Sequence, residues 1–232
     1  EVDSLPCTKV IIPNALPTST FAPQGTAKWT AHQPVRLLYL SNLFRAKGIE
    51  TLLKATARLI KDGVAVTLDI AGAPGDITAQ KLKHLLSEHA IAHIATYHGA
   101  VNADHRMALF EMADLFVFPS AYPNEAQPLV VLEAMAAGVP VITSNIATLP
   151  EFVRAGETGR LCLPDDPEKL AQTLKLAINH PDQTYSMAQA ARLMCQTDFT
   201  IDRFARDICG VIGRVCKMEP APKEGPDKND PR

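Results

Sequence analysis

The chain has 232 residues, 47% hydrophobic and 21% charged, with a net charge of −2. That is the balance of an ordinary globular protein long enough for a sizeable core, and it excludes the global basic field that nucleic-acid or anionic-membrane binding draws on. The five cysteines (Cys7, Cys162, Cys195, Cys209 and Cys216) are odd in number, scattered and without a CxxC pair, which argues against a zinc ribbon or a redox dithiol.

Three regions differ in composition. Residues 1–34 are rich in Pro, Thr and Ala, with one apolar run, Val10-Ile11-Ile12, stopped by Pro13-Asn14. They read as a linker or junction. The chain starts without Met and without the charged and apolar regions of a signal peptide, so a piece of a longer protein is expected. Residues 35–199 form the body, 200–216 a last amphipathic helix, and 217–232 a polar, Pro-rich tail. That tail has too little apolar surface to offset its ordering entropy and is expected to be disordered.

Along the body, strands are expected at Val35–Leu40, Ala65–Ala71, Ile94–Tyr97, Leu115–Phe118 and Val139–Thr143. Helices are expected at Gly48–Ile60, Ala79–His89, Arg106–Met112, Leu129–Ala137, 167–179 and 182–195. Strands apolar on both sides, alternating with helices, predict an α/β fold. It is a Rossmann-like parallel sheet with right-handed crossovers and helices on both faces. Ligands of such sheets sit beyond the carboxyl ends of the strands. The loops to search are therefore Ser41–Gly48, Gly72–Asp76, His98–Asn102, Pro119–Gln127 and Ser144–Pro150.

Pro128 suits the first position of a helix, where its missing N–H is no loss. The next amides then point at an anion beyond the strands, with the positive end of the helix dipole behind them. Glu133 is the only charged residue from Pro128 to Pro140. A carboxylate among apolar residues needs donors, which a ribose diol, a neighbouring loop or a buried Arg would each supply. Glu125 and Glu133 are not a glycosidase pair. The helix alone separates them by about 7.5 Å, whereas a retaining glycosidase needs about 5–5.5 Å.

The stretch Glu125-Ala-Gln-Pro-Leu-Val-Val-Leu-Glu133-Ala-Met-Ala, followed by Ala137-Gly138-Val139-Pro140-Val141, resembles the Glu-x7-Glu motif of family-4, retaining, GT-B glycosyltransferases (glycosyl transferases group 1). Ala113-Asp114-Leu-Phe-Val-Phe-Pro119-Ser120 is similar to the family's preceding strand. Leu149-Pro150-Glu151-Phe152-Val153 with Gly156, Gly159 and Pro164 resembles the segment after it, and His98-Gly99-Ala100-Val101 the base-side loop. The resemblance runs from Val10 to Lys175.

The resemblance implies one half of a GT-B fold that binds a nucleoside-diphosphate sugar. Glu125 then addresses the sugar near the reacting carbon as the catalytic residue, and Glu133 binds the ribose. Ala126 and the backbone amides of Gln127, Leu129 and Val130 hold sugar and diphosphate, and Val101 lies near the base. It also implies that an acceptor domain precedes residue 1, since Val10-Ile11-Ile12-Pro13-Asn14 resembles the family's interdomain stretch. The full enzyme would transfer a hexosyl group to a sugar, lipid or other small-molecule acceptor, and this half would be inactive alone. No cofactor or metal is expected, no nucleic acid, and at most peripheral membrane contact in a cytoplasmic protein.

A leaving diphosphate needs positive charge. The family's Gly-Arg-Leu-x-x-x-Lys-Gly loop stands here as Ser41-Asn42-Leu-Phe-Arg45-Ala-Lys47-Gly48. Lys47 is kept, Asn42 brings hydrogen bonds without charge, and Arg45 is either a substitute cation or a solvated loop residue. Gly72, in Gly72-Ala73-Pro74-Gly75, marks a close backbone approach to the ligand or a tight turn. His89 and His93 are spaced i, i+4 without a third ligand or an HExxH pattern, which favours surface histidines over a metal site. Ser120 lacks a GxSxG setting, which disfavours a hydrolase. The competing reading is a nucleotide-sugar-binding or interaction module without catalysis, favoured by Asn42.

Overall fold

In the computed structural model, which describes residues 9–17, 20 and 33–217, the described strands make one sheet. They are β1 (Val35–Leu40), β2 (Val66–Ala71), β3 (Ala95–Tyr97), β4 (Leu115–Phe118), β5 (Val141–Ser144) and β6 (Arg160–Cys162). All neighbours pair parallel, in the order β3-β2-β1-β4-β5-β6. The helices are α1 (Ile49–Lys61), α2 (Ala79–Glu88), α3 (Ala103–Met112), α4 (Leu129–Ala136), α5 (Leu149–Phe152), α6 (Pro167–Asn179), α7 (Pro181–Asp198) and α8 (Ile201–Lys217). The expected α/β architecture is the one observed.

Strand pleating divides the core in two. In β1, Leu37 and Tyr39 join the cluster under α1, α2 and α6, while Leu38 and Leu40 join the cluster under α3, α4, α5 and α7. A strand buried on both faces has no polar side to show, which is why β1 is apolar from Leu37 onward, with the exposed Arg36 only at its start. The chain moves outward from β1 to β3, then crosses back to place β4 on the other flank of β1. The order of winding therefore reverses between β1 and β4, and a crevice opens beyond their carboxyl ends.

Several boundaries differ from the sequence reading. Helix α3 begins at Ala103 rather than Arg106, because the Asn102 side chain accepts a hydrogen bond from the His105 amide (2.9 Å) and caps it. Pro128 is the N-cap of α4 rather than its first residue, in extended backbone with ψ 110. His89 and His93 do not share a helix: α2 ends at Glu88, and Ala90 turns the chain with φ 57. The short α5 and the edge strand β6 were not anticipated. Gly159 lets β6 approach, since a Cβ there would lie 2.8 Å from the Val141 carbonyl oxygen.

Of the segment before residue 35, the described part is tied down at Leu16. Its side chain is buried, its amide donates to the Phe199 carbonyl (2.8 Å), and it bridges to Thr200. The 218–232 stretch of the expected tail lies outside the described residues. Helix α8 exposes Ile201, Ile212 and Val215. Among the described residues no helix is long and apolar enough to cross a membrane.

Candidate functional site

The loops after β1, β2 and β4 meet at the crevice because two glycines let backbones touch. Gly48 has φ 79, and a Cβ on it would lie 1.8 Å from the Pro119 carbonyl oxygen. Gly72 has φ 146, and a Cβ there would lie 1.9 Å from the Ser41 carbonyl oxygen. No side chain fits either gap. Gly72 thus makes a close approach to protein backbone, at the end of β1. Around them the Ala121 amide donates to Ala46 (2.8 Å), the Leu43 amide to Ala73 (2.9 Å), and the buried Tyr39 hydroxyl to the Lys47 carbonyl (3.4 Å). Burial holds the Tyr39 phenol well above its usual range.

On that frame Lys47 and Glu125 meet directly. The Lys47 ammonium donates to both carboxylate oxygens of Glu125, at 2.9 and 2.8 Å, and the Ser120 hydroxyl donates to Oε2 at 2.7 Å. Glu125 is 6% exposed and Ser120 fully buried. The Tyr122 ring lies 4.8 Å from the Lys47 nitrogen, a cation–π contact on the same charge. The Thr148 hydroxyl donates to the Glu125 carbonyl at 3.1 Å and fixes the loop from below. A cation, a carboxylate and an aromatic face are thereby concentrated at the switch point of the sheet.

The other expected residues are distributed around this centre. Asn42 is exposed, and its side-chain oxygen accepts from the Ala73 amide (3.2 Å). Arg45 turns to Glu50 (2.9 Å) and is 59% exposed. Gln127 accepts from the Asn14 amide through Oε1 at 2.6 Å, joining the loop after β4 to the segment before the sheet. Ala126 and Leu129 are exposed, Val130 is half-buried, and Val101 packs at the edge of the second core cluster. With Pro128 as the cap, the first amides of α4 have no acceptor a turn earlier within the helix.

Glu133 lies in the second turn of α4 and meets Arg106 of α3, with Oε1 3.1 Å from a guanidinium nitrogen. Its side chain is 13% exposed. Burial raises its pKa above the ordinary 4.5, and the Arg106 charge acts in the opposite direction. Next to this pair, His98 contacts Asp69 (2.7 Å), and the His98 and His105 rings meet edge-on with centroids 5.2 Å apart. Sequence reasoning left the partner of Glu133 open and did not single out Arg106, Tyr122 or Thr148. Only the Asn102 cap, which starts α3 early enough to place Arg106 in its first turn, carried a local signal. Among the described residues, no cluster of three or more His, Cys, Asp or Glu is arranged to hold a metal ion.

Comparison with known proteins agrees with this geometry. The family model described as "Glycosyl transferases group 1" matches residues 27–194. A glycogen synthase of Mycobacterium tuberculosis is 36% identical over 167 residues, covering 72% of this chain and 39% of the relative. The sucrose-phosphate synthase of Thermosynechococcus elongatus superposes with a TM-score of 0.77 at 26% identity, covering 88% of this chain and 52% of that one. Anabaena Alr3699/HepE, solved in complex with UDP-glucose, superposes with a TM-score of 0.72 at 20% identity, over 79% of this chain and 50% of that one. The chain thus spans about two fifths of the curated relative and about half of each solved chain, and its sheet and helices form one half of a GT-B architecture. The chain belongs to the glycosyl transferases group 1 family.

Proposed function

We propose that this chain is the donor-binding half of a retaining glycosyltransferase and holds a nucleoside-diphosphate sugar beyond β1 and β4. The observation that carries this reading is the Lys47–Glu125–Ser120 cluster at the point where the sheet reverses its winding. A diphosphate arriving there meets Lys47 and the first amides of α4, both suited to its charge. It competes with Glu125 for the ammonium, so Glu125 is released toward the sugar as phosphate takes its place. Asn42, with its amide oxygen engaged by Ala73, offers its NH2 to the diphosphate or sugar. Glu133 addresses the ribose and Val101 the base. UDP-glucose bound to Alr3699/HepE supports a nucleotide-sugar ligand of this kind.

The whole enzyme would pass a hexosyl group to an acceptor held by a second domain. As the leaving diphosphate gains charge, Lys47 supplies the matching positive charge.

Isothermal titration with UDP-, GDP- and ADP-sugars tests the reading. One of them is expected to bind, and Lys47→Ala to weaken it by about tenfold or more, the scale of a charged hydrogen bond. A folded chain that binds none of the three would overturn it.

A further inference from the structure

We propose that Arg106 is a positioning residue, holding the Glu133 carboxylate so that its second oxygen faces the ribose diol of a bound nucleotide. The inference rests on the nucleotide-binding reading above. Arg106 stands in the first turn of α3 and reaches α4, bringing a guanidinium nitrogen 3.1 Å from Oε1 of Glu133. Both partners sit largely out of solvent, at 35% and 13% exposure of their side chains.

Two observations separate this contact from an ordinary structural ion pair. A buried Arg–Glu pair that exists for stability closes on itself, usually as a two-pronged fork. Here the nearest contact brings one guanidinium nitrogen to Oε1, and the buried Arg106 Nε has no hydrogen-bond partner. The carboxylate is open as well: among the described residues Arg106 is its ion-pair partner, nearest at Oε1, and Oε2 is not buried without a partner. In a largely buried setting an open carboxylate oxygen gains from any donor that reaches it. A vicinal diol supplies two O–H donors on neighbouring carbons, which matches an acceptor fixed from one side only.

The surroundings favour aim over neutralisation. Five of the eight residues of α4 are buried and apolar (Val131, Leu132, Ala134, Met135 and Ala136) and offer Glu133 no donor. Without Arg106 the carboxylate would be free to rotate toward solvent, where it is better hydrated, and away from the ligand.

The experiment measures binding of UDP, GDP and ADP, each beside its 2′,3′-dideoxy form, to the wild-type chain and to Arg106→Met, Arg106→Gln and Arg106→Lys. The wild type is expected to prefer one ribose nucleotide over its dideoxy form by about tenfold, the scale of hydrogen bonds to a charged group. Arg106→Met is expected to lose most of that preference while binding the dideoxy form as the wild type does. Arg106→Lys keeps part of it. Arg106→Gln, neutral and of similar length, repeats the test should the methionine variant unfold. A preference that survives in Met and Gln alike overturns the inference alone, as does equal weakening toward both sugar forms, the mark of a merely structural role. Failure of the folded wild type to bind any of the nucleotides overturns the proposed function, and this inference with it.

Discussion

At the scale of single residues, the site consists of charges whose partners come from distant parts of the chain. Lys47 and Glu125 are 78 positions apart, and nothing in either local sequence names the other. Removing Ser120's hydroxyl (Ser120→Ala) leaves Glu125 buried with one donor fewer. It is expected to lower stability by about 1–3 kcal/mol, read from the urea midpoint. Glu133 behaves differently from a well-paired carboxylate. Its raised pKa means that the folded chain takes up this proton more readily than the unfolded chain. Its ionised form therefore costs stability at neutral pH, and the cost fades as pH falls through the raised folded value toward 4.5. The unfolding free energy of wild type minus that of Glu133→Gln is expected to rise over that interval, measured by urea titration at each pH. The cysteines separate in the same way. Burial pushes the Cys162 thiol up to about 11 and Cys195 to about 12, whereas Cys209 and Cys216 are exposed. At neutral pH a thiol reagent should label Cys209 and Cys216 in the native chain, and the buried pair only after unfolding.

At the scale of elements, what was legible followed the length of the apolar run. β1 and β4 declared themselves by apolar runs on both faces, and β2 by alternation, with Thr67 and Asp69 on its less buried side. α5 and β6, with four and three residues, are too short to show a period and are held by their neighbours. The two ends of the motif, Glu125 and Glu133, were legible as motif positions, and Lys47 as the cation of the loop after β1. The pairings were not, because Lys47 meets Glu125 and Arg106 meets Glu133 only in the folded chain. The loop geometry was half legible. Gly48 and Gly72 stood out as glycines, but the backbone each one meets belongs to another strand. Gly48→Ala is therefore expected to be expensive. It combines a left-handed φ with a clash against the Pro119 carbonyl, and should cost more than about 1–3 kcal/mol by thermal or urea unfolding. The same change at Gly63, which has positive φ but open space, should cost only the backbone strain of about 1 kcal/mol.

At the scale of the whole molecule, the described chain before the sheet and the start of α8 are hydrogen-bonded neighbours. Leu16 is 2% exposed, in the cluster that also contains Phe199 and the apolar face of α4. Leu16→Ala is expected to cost about 2–5 kcal/mol, with thermal unfolding as the readout. Topologically, the body of the protein is a ring opened at one seam, and Leu16 and Thr200 are its two lips. A ring can be opened elsewhere at little expense when the new break falls in an exposed turn. A permutant sealed across that seam and cut at the Asp62-Gly63 turn, where a side chain would meet nothing, keeps every strand pairing of the sheet.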